Sequence, residues 1–153
     1  MTNVIQVAEY ILSAKGYITP MKLQKLVYYS QAWHLAWTEQ PLFSEKIEAW
    51  RDGPVAPKLF ELHKGHFKME PGFFAKKARR RSVTQLSADE KDVIDRVLAY
   101  YGERDPHWLS QLTHLEPPWK QARKRAGIID GENSSEEISH QSMFEYYSAL
   151  CCE

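Results

Sequence analysis

The stretch from Thr19 to Trp37 restricts the fold more than any other part of this 153-residue chain. Thr19 is a residue type that caps helix N-termini, and Pro20 follows at the first helical position, where its missing N–H would have had no intrahelical acceptor. Apolar or aromatic residues then recur at Leu23, Leu26, Val27, Trp33 and Trp37, with small Ser30 in the same stripe. Tyr28, Ala32 and Leu35 add a second apolar face. After Lys25 the clearly polar side chains are Ser30, Gln31 and His34. A helix that is apolar nearly all round has to be covered on most sides. Residues 20–37 therefore read as a central strut with the other elements around it.

The remaining segments supply those elements. Val4, Ile5, Ala8, Ile11 and Leu12 share one face of a helix over 3–14, stopped at Gly16. Gln40-Pro41 closes the central helix region, because a residue before proline avoids the α conformation. Residues 46–51 alternate like a strand, with Ile47 and Ala49 opposite Glu48 and Trp50, and Asp52-Gly53-Pro54 reads as the following turn. Pro57 opens a helix with Leu59, Phe60 and Leu62 that Gly65 ends. Residues 68–85 hold no period, so they read as an exposed basic excursion. Ser87 to Glu90 is a capping box before Val93, Ile94, Val97, Leu98 and Tyr101. Asp105-Pro106 and Pro117-Pro118 open two short helices, the second ending at Gly127. An acidic loop follows over 130–137, and Ser139 caps a last helix bearing Met143, Tyr146, Tyr147 and Leu150. The expected fold is mainly α. It is a compact helical bundle around a buried central helix, with one small β-strand or hairpin near 46–51, in a single domain over 1–153.

Twenty Lys and Arg balance twenty Asp and Glu. A zero balance argues against nucleic-acid binding by bulk charge, though not against a local basic patch. It also removes long-range repulsion between copies, which admits a homo-oligomer. No apolar run approaches the length of a membrane span, and no leader is expected at the N-terminus. Cys151 and Cys152 are adjacent, and neighbours seldom bridge, so a reducing, cytoplasmic setting is expected.

Chemistry is thinly marked. His63 and His66 have a ligand-like spacing that Gly65 spoils, and neither HExxH nor CxxC occurs, so no metal or cofactor is expected. No nucleophile elbow or phosphate loop occurs, and no catalytic residue is assigned, although a triad is a geometry that sequence does not exclude. A basic run holds Lys76, Lys77, Arg79, Arg80 and Arg81. It reads as a phosphate or acidic-partner contact, or as a solvated loop. Lys120, Arg123, Lys124 and Arg125 form a second basic cluster, three of them on one helical face. The sharpest feature is the turn Trp50-Arg51-Asp52-Gly53-Pro54-Val55. It can be a bend pinned to the core by Trp50 and Val55, a rigid presenting loop, or both.

Several of these pieces, in order, resemble one family. They are Lys22 to Tyr29, Ala32-Trp33, Glu48-Ala49-Trp50 and Gly53-Pro54-Val55, with a weaker tail match from Leu109-Ser110 through His114 to Pro118-Trp119. The set is similar to the Panacea domain, the SocA-like antitoxin family that includes the phage-associated GepA. The resemblance runs from residue 5 to about 150. It implies a non-catalytic antitoxin whose partner is a cognate toxin, with a protease such as ClpXP as a further partner if the antitoxin also acts as an adaptor. The alternatives are a phage or mobile-element accessory protein that binds nucleic acid through the basic patch, and a small uncharacterised enzyme.

Overall fold

Local caps start the first two helices where the sequence places them. In α1 (Val4–Lys15), Asn3 accepts from the Gln6 N–H at 2.9 Å while the Gln6 side chain accepts from the Asn3 N–H at 2.8 Å. In α2 (Pro20–Thr38), the Thr19 hydroxyl accepts from the Lys22 N–H at 3.2 Å, and Glu39 ends the helix in the left-handed region at φ 63°. The structure is a computed structural model, and it describes residues 2–78, 86–128 and 132–151, without the side chains of 77, 78 and 151.

The order continues with β1 (Glu48–Trp50), β2 (Gly53–Val55), α3 (Pro57–His63), α4 (Phe73–Ala78), α5 (Ala88–Tyr101), α6 (Pro106–Leu115), α7 (Pro117–Arg125) and α8 (His140–Cys151). The fold is mainly α, as expected. Helices α1, α5, α6 and α8 and strand β2 all pack on α2. Leu23, Leu26, Val27, Tyr29 and Ala32 have no exposed surface, so α2 is the central strut. The Ser87–Glu90 capping box forms, and Val93, Ile94, Val97, Leu98 and Tyr101 are all buried. Asp105 caps α6 through the Trp108 N–H, and Ser139 caps α8 through the Ser142 N–H.

Three details depart from expectation. First, Gln24, Lys25, Ser30, Gln31 and His34 of α2 are buried along with its apolar residues, while Trp37, expected in the buried stripe, is 37% exposed at the helix end. Gln31 shows why burial is tolerated. Its amide oxygen accepts from the Leu42 and Phe43 N–H groups at 2.7 and 3.3 Å, and its nitrogen donates to the Phe43 carbonyl at 2.8 Å. A side chain that satisfies a loop's backbone removes the penalty on both.

Second, the turn is displaced. β1 and β2 pair antiparallel with Glu48 opposite Val55, Ala49 opposite Pro54 and Trp50 opposite Gly53, which leaves Arg51 and Asp52 at the tip. Gly53 and Pro54 belong to the second strand, where the proline is tolerated on an edge. The other edge of β1 is covered: the Ala49 N–H donates to the Glu136 carbonyl and the Ile138 N–H to the Ile47 carbonyl, each at 2.8 Å. The described part of the acidic 130–137 loop is therefore tied to the hairpin.

Third, the 68–85 segment begins as docked structure. Met69 exchanges backbone hydrogen bonds with Ile18 at 2.8 and 3.1 Å. The buried Glu9 carboxylate accepts from the Gly72 and Phe74 N–H groups at 2.7 and 3.1 Å, holding the start of α4 with Phe74 in the core. An N–H cluster at a helix start suits a carboxylate. Residues 79–85 lie outside the described residues.

Candidate functional site

Two three-residue strands do not hold a hairpin together in water. Here side chains from three helices and one loop do so. The Arg123 guanidinium donates to the Ala49 carbonyl at 3.0 Å, and the Trp119 indole to the Trp50 carbonyl at 2.8 Å. His114 Nε2 bonds the Arg51 carbonyl at 2.9 Å. A carbonyl only accepts, so that nitrogen carries the proton. The Ser110 hydroxyl donates to the Asp52 carbonyl at 2.5 Å, and Lys25 Nζ to the Pro54 carbonyl at 3.2 Å. From outside the helices, the Asn133 amide oxygen accepts from the Arg51 N–H at 3.2 Å.

Gln24 secures the exit from β2. Its oxygen accepts from the Ala56 N–H at 2.9 Å and its nitrogen donates to the Ala56 carbonyl at 3.3 Å. That pairing orients the amide, so the same nitrogen donates to His63 Nε2, 2.9 Å away. His63 is then held neutral, in line with the lowering of its pKa by burial.

Between the hairpin, the start of α2 and α3 lies a cavity of about 390 Å³, lined by Gln24, Lys25, Trp50, Arg51, Asp52, Phe60 and His63 among others. Lys25 is 2% exposed. Burial depresses its pKa to about 8, against the pull of the nearby Asp52 carboxylate. Gly53 is required by this close approach: at φ 123° a Cβ would come within 2.5 Å of Lys25 Cε.

The six residues of the expected presenting turn divide by role. Arg51 and Asp52 are exposed and form a loose ion pair at 3.8 Å. Trp50 is half-buried, with its indole N–H on Glu48 at 2.8 Å and its ring edge-on to Phe60, centroids 4.8 Å apart. Gly53 and Pro54 are buried and Val55 half-buried, so these three support the tip and do not present it.

The basic clusters fare differently. Lys76 is exposed, whereas Arg79, Arg80 and Arg81 lie outside the described residues, as does the side chain of Lys77. Arg123 leaves the second cluster: it is 5% exposed, lies 4.9 Å from the Trp119 ring centroid, and also donates to the Glu132 carbonyl. Sequence reasoning missed Arg123, Lys25 and Gln24 as supports. The Trp119–Arg123 spacing of one helical turn was the available signal for the first. Among the described residues no group of three His, Cys, Asp or Glu side chains is arranged to hold a metal, and no helix is long and apolar enough to cross a membrane.

The pieces of the family resemblance are scattered in sequence, yet Gln24, Lys25, Trp50, Gly53, Pro54, Ser110, His114 and Trp119 meet at this hairpin. Residues 23–120 match the family described as antitoxin SocA-like, Panacea domain. The chain belongs to that family. Comparison with curated proteins and with solved structures found no match. For a Panacea-domain chain, membership supports an antitoxin role and points to a protein partner and a non-enzymatic mode of action. The matched span begins in α2 and ends in α7, so it contains the hairpin and, Arg123 excepted, the helical side chains that hold it.

Proposed function

We propose that this Panacea-domain protein neutralises a cognate toxin by direct contact, and that the tip of the β1–β2 hairpin is the contacting element. One observation carries the reading. The carbonyls of Ala49, Trp50, Arg51, Asp52 and Pro54 are each engaged from behind by a side chain of another element. With the backbone committed inward, Arg51 and Asp52 project from a loop that has little freedom left to lose on binding. Pre-ordering a loop lowers the entropic cost of association. Arg and Trp are also residue types over-represented among interface hot spots. A standard interface takes about 800 Å² from each partner, which the tip and its surroundings can supply without unfolding.

The nucleic-acid alternative is weakened by the burial of Arg123, which removes a cation from the second cluster. The decisive experiment expresses the adjacent open reading frame alone and then with this chain. Toxicity that disappears on co-expression, and returns with Arg51→Ala in a chain of unchanged melting temperature and with Trp50→Ala in a chain that still folds, is the expected result. A harmless neighbour removes the antitoxin reading. Full protection by both variants moves the interface away from the hairpin.

A further inference from the structure

A second cavity, of about 690 Å³, lies at the other end of α2 and takes no part in the hairpin. Its walls are aromatic: Trp33, Trp37, Tyr100, Tyr101 and Tyr146. Trp37 is 37% and Tyr100 64% exposed, so the space opens to solvent. The deeper wall is set firmly. Tyr101 stacks on Tyr29 with centroids 4.0 Å apart, and its hydroxyl accepts from the Trp33 indole at 3.0 Å.

Glu116 also lines this cavity and is only 5% exposed. Its oxygens are treated unequally. The Tyr29 and Tyr147 hydroxyls donate to Oε1 at 2.7 and 2.8 Å, and no donor among the described residues reaches Oε2. No cation among the described residues pairs with this carboxylate. Arg96, which shares the cavity lining, is engaged by Asp92 at 3.2 Å and lies 5.6 Å from the Trp37 ring centroid. A guanidinium on that indole face is a cation–π contact made by the protein itself, so the wall already accepts positive charge. No buried side-chain nitrogen or oxygen among the described residues lacks a partner, so the unbonded Oε2 is reached from the open cavity. An aromatic enclosure with one half-satisfied carboxylate in it is complementary to an organic ammonium ion carrying an apolar body. The volume falls in the usual range for small-molecule sites, about 300–1,000 Å³.

We infer that this cavity binds a small arylalkyl amine, its ring against Trp33, Trp37 and Tyr100 and its ammonium donating to Glu116 Oε2. The inference does not depend on the hairpin reading, since the two cavities share no lining residue.

The test uses the full chain and two probes of nearly equal shape, 2-phenylethylamine and uncharged 2-phenylethanol, followed by tryptophan fluorescence and by calorimetry at neutral pH. The amine should bind saturably and about tenfold or more tightly than the alcohol, the range expected when a buried charge is met. Glu116→Gln keeps an oxygen for the tyrosine hydroxyls, and it should erase the preference for the amine. Trp37→Ala, at an exposed position, should weaken both probes without unfolding the chain. Equal affinity for amine and alcohol, or a preference that persists in Glu116→Gln, would overturn the inference. So would the absence of saturable binding at millimolar amine. A dimer that Trp37→Ala dissolves and the amine does not disturb would assign the aromatic face to self-association instead, and sedimentation reads that outcome. Should Glu116→Gln fail to fold, the amine-to-alcohol ratio on the unaltered chain and the weakening of both probes in Trp37→Ala still decide the matter.

Discussion

The two halves of α2 each border a buried charge, and they handle it in opposite ways. Toward the N-terminus, Lys25 meets a backbone carbonyl, and its neighbours Gln24, Ser110, His114, Trp119 and Arg123 likewise meet backbone groups. Toward the C-terminus, Glu116 meets two tyrosine hydroxyls, and the rings around it pack on one another, Tyr101 stacked on Tyr29 and Tyr147 edge-on to it. In the first region side chains satisfy a strand pair too short to stand alone, so the polar atoms fix a shape. In the second, side chains satisfy each other and leave a ligand-sized space beside an incompletely met carboxylate. Buried polar groups survive only when answered. On the two proposals made for these regions, what answers them separates a presenting scaffold from a receptor.

The largest blow to both regions should come from the strut they share. Leu26 has no exposed surface. Leu26→Ala should cost about 2–5 kcal/mol through lost burial and a cavity, read by chemical denaturation. An unchanged midpoint would mean the two regions do not hang on one core.

Next in size is the titration of Lys25, which distinguishes the regions by sign of charge. The unfolded lysine holds its proton to about 10.5, whereas the folded one releases it near 8. Between those values the unfolded state binds more protons, so stability should rise with pH, by about 3 kcal/mol if the whole shift is realised. The charged groups facing Lys25 are Asp52 and Arg51 on the hairpin, and His63 on α3 faces it too. Burial lowers the His63 pKa, so that ring stays neutral across the window. Tyrosines do begin to ionise in the unfolded chain near its upper end, so the readout is the difference between the unaltered chain and Lys25→Met. The slope should vanish in the variant. A variant with the same rising curve would show that Lys25 is not its source.

Glu116→Leu should cost less, about 1–3 kcal/mol, because it strands the buried Tyr29 hydroxyl while Tyr147 keeps the Tyr28 hydroxyl at 3.1 Å. Burial holds the Glu116 carboxyl above its ordinary pKa against the two tyrosine bonds. A thermal melt in which the leucine variant matches the unaltered chain would show that the aromatic region does not need its anion.

The difference between the regions also explains what the chain discloses when read in one dimension. Caps and helix faces are local, so the Ser87 box, the Asp105 cap and the buried face from Val93 to Tyr101 could be read directly. The supports of the hairpin are not local. Lys25 looks like an ordinary solvated lysine until Pro54 returns to it from 29 positions away. Arg123 looks like part of a basic face until Ala49 and Glu132 surround it. Gln24 and Gln31 are hidden in the same manner, because each amide imitates a strand partner for a distant loop. Periodicity registers these residues only as interruptions. Glu116 gave no signal at all, since its meaning lies in tyrosines from two other helices. The family motif pieces were visible separately, and folding supplies the reason they travel together.

The smallest expected effect on stability separates function from support most cleanly. Arg51 projects from the hairpin tip, and its ion pair with Asp52, 3.8 Å apart, is exposed on both sides. Such pairs contribute roughly 0–1 kcal/mol, so Arg51→Ala should move the melting temperature little. The backbone of Arg51 does the structural task, through its N–H on Asn133 and its carbonyl under His114, and alanine keeps both. Any loss of protection in Arg51→Ala therefore has to come from what the guanidinium touches outside this chain. The paired control is His114→Ala, which leaves the tip's side chains intact and removes one anchor behind them. If the tip acts by pre-ordering, His114→Ala should weaken toxin binding by slowing association, whereas Arg51→Ala should speed dissociation, and surface plasmon resonance against the purified toxin resolves the two rates. Equal behaviour of the two variants would mean that the anchors and the tip are one unit, and that the division between support and contact drawn through this hairpin is misplaced.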